Sequence, residues 1–191
     1  SVLIAEDENG TRMNLAPSIS PNGDYLVYIS EESLFSIDLF LADARTGERI
    51  KRLTSTASDA HFNALRFIDS AGSWSPDGER FVFVVFNEGR NELAFVEVES
   101  REITRQIRVR GVEEITNPVW SPDGNRIAFS GITGGQSDLY VHDLTTGETE
   151  RLTNDRYADM QPAWGPDGES IAFTTDRGPA TDFERLTYGE M

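Results

Sequence analysis

The sequence predicts an all-β chain folded as β-propeller blades of four antiparallel strands. Three observations carry this reading. A turn string recurs: WSPDG at Trp74–Gly78 and Trp120–Gly124, WGPDG at Trp164–Gly168, and an eroded ISPNG at Ile19–Gly23. Successive tryptophans stand 46 and 44 residues apart, close to the spacing of about 40–45 residues that one blade occupies. Between the turns lie short runs rich in Val, Ile, Phe and Tyr, and no long stretch carries a helical apolar period with caps.

The runs align in order. After each turn comes an apolar run: YLVYIS at 25–30, RFVFVVF at 80–86, RIAFS at 126–130 and SIAFTT at 170–175. A second follows: DLFLADARTG at 38–47, ELAFVEVESR at 92–101 and DLYVHDLTTG at 138–147. A third is short: RLT at 52–54, RQIRV at 105–109 and RLT at 151–153. The segment leading into each tryptophan supplies the remaining strand. This places blades over residues 16–56, 71–109 and 117–153 and a partial blade over 161–187. The chain, 1–191, is then a single incomplete propeller of three full blades and a partial fourth. A parallel α/β sheet would need crossover helices, and the runs leave no room for them.

The turn residues have a mechanism. Pro76, Pro122 and Pro166 preset φ for the second turn position, and Asp77, Asp123 and Asp167 can accept bonds from nearby backbone N–H groups. Gly78, Gly124 and Gly168 take positive φ at little cost. Trp74, Trp120 and Trp164 are expected to be largely buried as packing anchors between neighbouring blades.

Irregularities mark the rest. The first interval, Ile19 to Trp74, is 55 residues and holds an insert at 56–72, read as a long loop or as a short helix near Asp59–Leu65. Residues 2–5 offer an extra outer strand of another blade. The chain opens on strand-like Val2-Leu3-Ile4, which reads as a mature or excised piece. Arg185-Leu186-Thr187 copies the closing RLT without the strand that should precede it.

The string Ser-Pro-Asp-Gly, followed by Arg-Ile-Ala-Phe-Ser, Asp-Leu-Tyr-Val-x-Asp-Leu-x-Thr-Gly and Arg-Leu-Thr, resembles the WD40-like repeat of TolB-type β-propellers. The likeness covers residues 16–187, and the copy at 117–153 is nearest to a consensus. The resemblance implies rings of six or more blades and an extracytoplasmic, periplasmic setting in bacteria. It implies roles such as the TolB component of an envelope system, a sensor or interaction domain, or the propeller of a prolyl-oligopeptidase-like or tricorn-like peptidase. It carries over no catalytic residue.

Charge narrows the partners. In 191 residues, 17 Lys and Arg face 33 Asp and Glu, for a net charge of −16. Such a surface repels phosphate backbones and anionic lipid, so nucleic acid is not an expected partner, and a basic protein or a cation is favoured. No cysteine is present, which excludes disulfides and thiolate metal sites. The longest apolar run, FVFVVF at 81–86, is strand-sized, so no membrane insertion is expected.

Chemical motifs are sparse. The nucleophile elbow G-x-S-x-G is missing; the nearest string, Gly72-Ser73-Trp74-Ser75-Pro76, serves as blade entry. His142 and Asp143 are neighbours on a strand and point to opposite faces, which disfavours a dyad. There is no HExxH and no phosphate-cradling glycine loop. His61, beside Asp59 in the insert, is a candidate ligand contact. Asp38, Glu92 and Asp138 recur at equivalent positions, as do Asp43, Glu97 and Asp143. The first trio is a candidate cation or ligand site along a central channel, set against a structural role as hydrogen-bond acceptors. Glu6-Asp7-Glu8-Asn9-Gly10 offers hard oxygen ligands for calcium but lacks the full calcium-loop spacing. No other cofactor is expected.

The expected function is a non-catalytic scaffold for a protein or peptide, within a larger or oligomeric assembly. The alternatives are the gating propeller of a serine peptidase and a saccharide or small-ligand propeller. Open sheet edges at both ends predict self-association, most simply as a two-fold dimer.

Overall fold

The computed structural model describes residues 14–33, 36–54, 72–87 and 89–177. The expectations for His61, Val2–Ala5, Glu6–Gly10, Asp182–Thr187 and nearly all of the 56–72 insert lie outside those residues. Among the described residues there is no helix, and therefore none long and apolar enough to cross a membrane.

Three four-stranded antiparallel sheets and one two-stranded sheet follow one another along the chain. The first holds β1 (Asn14–Ile19), β2 (Tyr25–Ser33), β3 (Ser36–Asp43) and β4 (Arg49–Arg52) in sequence order. The second holds β5 (Ser73–Trp74), β6 (Arg80–Asn87), β7 (Arg90–Glu97) and β8 (Glu102–Ile107). The third holds β9 (Glu114–Trp120), β10 (Arg126–Thr133), β11 (Gln136–Asp143) and β12 (Thr149–Arg151). The last pairs β13 (Asp159–Trp164) with β14 (Ile171–Thr175). The first strands of successive sheets are neighbours, β1 to β5, β5 to β9 and β9 to β13, which marks them as innermost.

Strand alternation gives each sheet two apolar faces. Val27, Ile29, Leu39 and Leu41 of the first sheet meet Phe81, Phe83, Ala94 and Val96 of the second. Val82, Leu93 and Phe95 meet Ile127, Phe129 and Tyr140 of the third. Ala128, Leu139 and Val141 meet Ile171, Phe173 and Trp164 of the last. Phe81 and Phe129 are fully buried, and each such side chain contributes roughly 1.5–3 kcal/mol through burial.

Three of the four lead-in strands, β1, β9 and β13, carry a bulge that sequence reading did not find. Ala16, Asn117 and Gln161 have φ of 47°, 51° and 56°, and each stands three residues before Ile19, Trp120 or Trp164. Pro17, Pro118 or Pro162 follows it. A ladder broken by a bulge leaves a position where proline's missing N–H costs nothing. The recurring proline two residues before the turn's lead residue was the available signal.

Two expectations need correction. Trp74 and Trp120 are 8% and 7% exposed, but Trp164, which faces the third sheet across the last junction, is only half-buried. In the second sheet the register places Gln106 opposite Ala94, where Arg52 stands opposite Phe40 and Arg151 opposite Tyr140. RQIRV therefore aligns with RLT through Gln106, not Arg105.

Candidate functional site

The turns are built by residues two apart. Ser75 Oγ donates to Asp77 Oδ1 at 2.5 Å, Asp77 accepts from the N–H of Glu79 at 3.0 Å, and the N–H of Arg80 returns to Ser75 Oγ at 2.9 Å. Ser121, Asp123, Asn125 and Arg126 repeat this. Gly78, Gly124 and Gly168 adopt φ of 73°, 72° and 70°. Pro76, Pro122 and Pro166 are exposed at the tips. Burial works against ionisation of Asp77 and Asp123, yet the serine hydroxyl, the backbone N–H and the nearby arginine outweigh it and lower both pKa values.

The serines were not singled out from sequence, although Ser75 and Ser121 are 0% exposed. The fourth turn shows why the position matters. Gly165 replaces the serine, and Ser170 Oγ donates to Asp167 Oδ1 at 2.9 Å in its stead.

The tryptophans link sheets. Trp74 Nε1 donates to the Ser18 carbonyl at 3.0 Å, and Trp164 Nε1 to the Val119 carbonyl at 3.3 Å. Trp120 is joined differently: its backbone N–H donates to Ser73 Oγ at 3.0 Å. Arg80 lies 4.6 Å over the Trp120 ring and Arg126 4.8 Å over the Trp164 ring.

Asp38 and Asp138 do not meet around an axis. Both lie on the third strand of their sheets, away from the innermost one, with side chains 0% exposed. Arg52 donates to Asp38 Oδ2 at 2.6 Å and Thr54 Oγ1 to Oδ1 at 3.2 Å, while the N–H of Leu39 donates to Thr54 Oγ1 at 2.9 Å. Arg151, Thr153 and Leu139 repeat the clasp around Asp138 at 2.5, 3.3 and 3.0 Å. Arg-Leu-Thr thus closes the fourth strand on the buried carboxylate of the third. Glu92 is half-buried, and Gln106 and Arg108 stand where the clasp would put arginine and threonine.

Asp43 and Asp143 cap the second turn. The N–H groups of Thr46 and Arg45 both donate to Asp43 Oδ1 at 2.8 Å, and those of Thr145 and Thr146 to Asp143 at 2.7 and 2.8 Å. These bonds, chiefly those from Thr46 and Thr146, hold both carboxyls below the usual carboxylate range. His142 is 3% exposed, with Nδ1 2.8 Å from Thr149 Oγ1. Burial, and then the charge of Arg105, lowers its pKa, with Asp143 opposing. Among the described residues no group of three or more His, Cys, Asp or Glu could hold a metal ion.

The recurring polar residues therefore serve turns, clasps and sheet junctions. The family described as the TolB beta propeller domain matches residues 66–183. The chain belongs to the TolB β-propeller family. Among solved structures, a TolB-like protein from Agrobacterium tumefaciens superposes with a TM-score of 0.67 at 21% identity, over 87% of this chain and 56% of that one. TolB from Acinetobacter baumannii gives 0.68 at 24%, over 91% of this chain and 40% of that one. The β-propeller domain of the Trilobed protease from Pyrococcus furiosus, described as having an open velcro topology, gives 0.58 at 14%, over 91% of this chain and 52% of that one. The chain thus spans about half the length of these TolB-type propeller proteins, or less. No curated protein matches it by sequence.

Proposed function

We propose that this TolB-type propeller is a non-catalytic scaffold that holds a basic protein or peptide segment, within a larger or oligomeric envelope-associated bacterial protein. One observation carries the reading. In antiparallel sheets the turn after the first strand and the turn after the third lie at the same end. That end exposes Asp77, Glu79, Asp123, Asp167 and Glu169 from the first set of turns and Glu48 and Glu148 from the second. The motif carboxylates inside the sheets, Asp38 and Asp138, are already engaged by arginine. At this end Asp77 and Asp123 face Arg80 and Arg126 at 3.8 and 3.1 Å, so the charge offered to a partner is chiefly that of Glu48, Glu79, Glu148 and Glu169, in a chain of net charge −16. A negative surface speeds encounter with a basic partner and opposes nucleic acid. Family membership supports an extracytoplasmic, periplasmic setting.

The test is binding of a labelled oligolysine peptide, with oligoglutamate as control, at rising salt. The expected result is oligolysine binding that weakens with salt and drops several-fold in the E79K/E148K/E169K variant. Equal retention of both peptides, or no loss in the variant, overturns the reading.

A second reading is the propeller of a serine peptidase, gating a catalytic domain elsewhere. The fold likeness to the Trilobed protease propeller supports it. It requires a G-x-S-x-G segment in the full-length protein, outside this sequence.

A further inference from the structure

The fourth strand of the second sheet differs from its counterparts. In the first and third sheets this strand is short, four residues in β4 and three in β12. Each of those two strands gives up an arginine, Arg52 or Arg151, to the buried Asp38 or Asp138. In contrast, β8 has six residues, Glu102–Ile107, and all but the half-buried Ile107 are exposed. Gln106 stands at the clasp position, opposite Ala94, and Arg105 beside it stays at the surface. The second sheet has thus kept its arginines outside.

Four arginines follow this edge: Arg101 in the turn before β8, Arg105 on it, and Arg108 and Arg110 just beyond it, all exposed. Between Arg101 and Arg110 stands one acid, Glu102, in a chain of 33 acids and 17 bases. Elsewhere arginine meets carboxylate, as Arg45 does Asp24 and Arg126 does Asp123. Among the described residues none of these four forms an ion pair, and Arg105 lies 6.0 Å from the centre of the Phe95 ring. The strand pairs with β7 on one side, and among the described residues no strand lies on the other. Its outward N–H and C=O groups form a template for another strand. Ile103, 37% exposed, adds an apolar contact on the same strand. The bulge opposite Phe95 and Val96 inserts Thr104 into β8, which limits a partner to a short segment.

We propose that β8 is a docking edge for a short acidic segment of a partner protein, which joins the second sheet as a fifth strand. Main-chain hydrogen bonds supply the pairing, and the arginines select the charge. The same arginines keep two copies of this edge apart, so one feature opposes self-pairing and favours an acidic strand. The edge is separate from Glu148 and Glu169, which belong to other sheets, and its partner carries the opposite charge. Failure here therefore leaves the oligolysine result standing.

The probe is a fluorescent, end-capped peptide of alternating threonine and glutamate. Its comparisons are the same peptide N-methylated throughout, which keeps the charge but has no backbone donors, and oligoglutamate, a poor strand former. The expected result is binding of the alternating peptide to the unaltered chain, with oligoglutamate weaker. Affinity should fall several-fold on N-methylation and several-fold in the R105E/R108E/R110E variant, its fold checked by circular dichroism. The methylated peptide is tested on the unaltered chain, so it decides even where the variant does not fold. Equal binding of the methylated peptide means charge attraction without strand pairing, and equal binding by the folded variant places the site elsewhere. Either result overturns the proposal, as does no binding of the alternating peptide, or its displacement by a sulfated polysaccharide that binds the methylated-peptide-resistant edge more tightly.

Discussion

Arg126 of the third sheet holds Trp164 of the fourth: its guanidinium lies 4.8 Å over the indole ring and also donates to the Gly168 carbonyl at 2.9 Å. One side chain thus fixes both the anchor and the turn of the next sheet. A guanidinium over an indole is worth about 0.5–2 kcal/mol, more as water is excluded. The junction between the third and fourth sheets is therefore polar at its rim and apolar beneath.

Tryptophan truncation should cost unequally. Trp120 is 7% exposed, packs edge-on to Phe95 with ring centroids 5.7 Å apart, and lies under Arg80. Replacing it with alanine should lower stability by about 3–5 kcal/mol. Trp164 is only half-buried, and Trp164→Ala should cost clearly less. Urea melts of the two variants check this; equal losses, or a Trp120→Ala loss under about 1 kcal/mol, would contradict the packing argument.

Removing one half of a clasp should be worse than removing both. Asp138 is fully buried and held by Arg151 and Thr153. Arg151→Met leaves that carboxylate buried without its cation, at a cost of about 3–5 kcal/mol. Asp138→Leu together with Arg151→Met replaces the pair by apolar groups and should recover most of the loss. Melts of the single and double variants measure the coupling, and simple additivity would show that the clasp is not a unit.

The blades were legible because the repeat writes itself in turn chemistry and alternation. WSPDG, the apolar runs and RLT each obey a local rule. The candidate channel trio was misplaced because recurrence gives equivalence, not radius: Asp38 and Asp138 recur faithfully, yet sit on third strands. The offset at Gln106 was hidden by the bulge between Phe95 and Val96, which no local residue type announces. Ser75 and Ser121 were overlooked because a small hydroxyl beside proline looks like ordinary turn composition. Only burial shows that it carries the turn.

His142 should make stability pH-dependent on the acid side of neutrality. Its pKa is lowered from 6.5 in the folded chain, first by burial and then by Arg105. Unfolded, it returns to its ordinary value. Below that value the unfolded chain binds a proton that the folded chain resists, so stability falls as pH falls. The effect fades once pH drops below the folded pKa, and one proton contributes at most about 1.4 kcal/mol per pH unit. The second sheet has Val96 at this position, opposite Phe81 as His142 is opposite Ile127. His142→Val should therefore lose less stability than the parent between neutrality and mild acid. Parallel pH profiles in thermal melts would show that His142 is not the source.

The fourth turn offers a swap experiment. Blades two and three pair serine with arginine, Ser75 with Arg80 and Ser121 with Arg126, whereas the last pairs Gly165 with Ser170. A Cβ on Gly165 would stand 2.1 Å from Ser170 Oγ and 2.9 Å from Asp167 Oδ1. Gly165→Ser alone forces a second hydroxyl into the space that Ser170 fills, and overpacking of this kind costs about 1–3 kcal/mol. Gly165→Ser with Ser170→Arg rebuilds the arrangement of the other turns. It frees the site beneath Asp167 and puts a serine where Ser75 and Ser121 bond their aspartates. The double variant should be more stable than Gly165→Ser by at least the single cost. Denaturant melts of the parent, both single variants and the double close the cycle. If the double variant is no better than Gly165→Ser, the two positions are independent and Ser170 does not substitute for the missing serine.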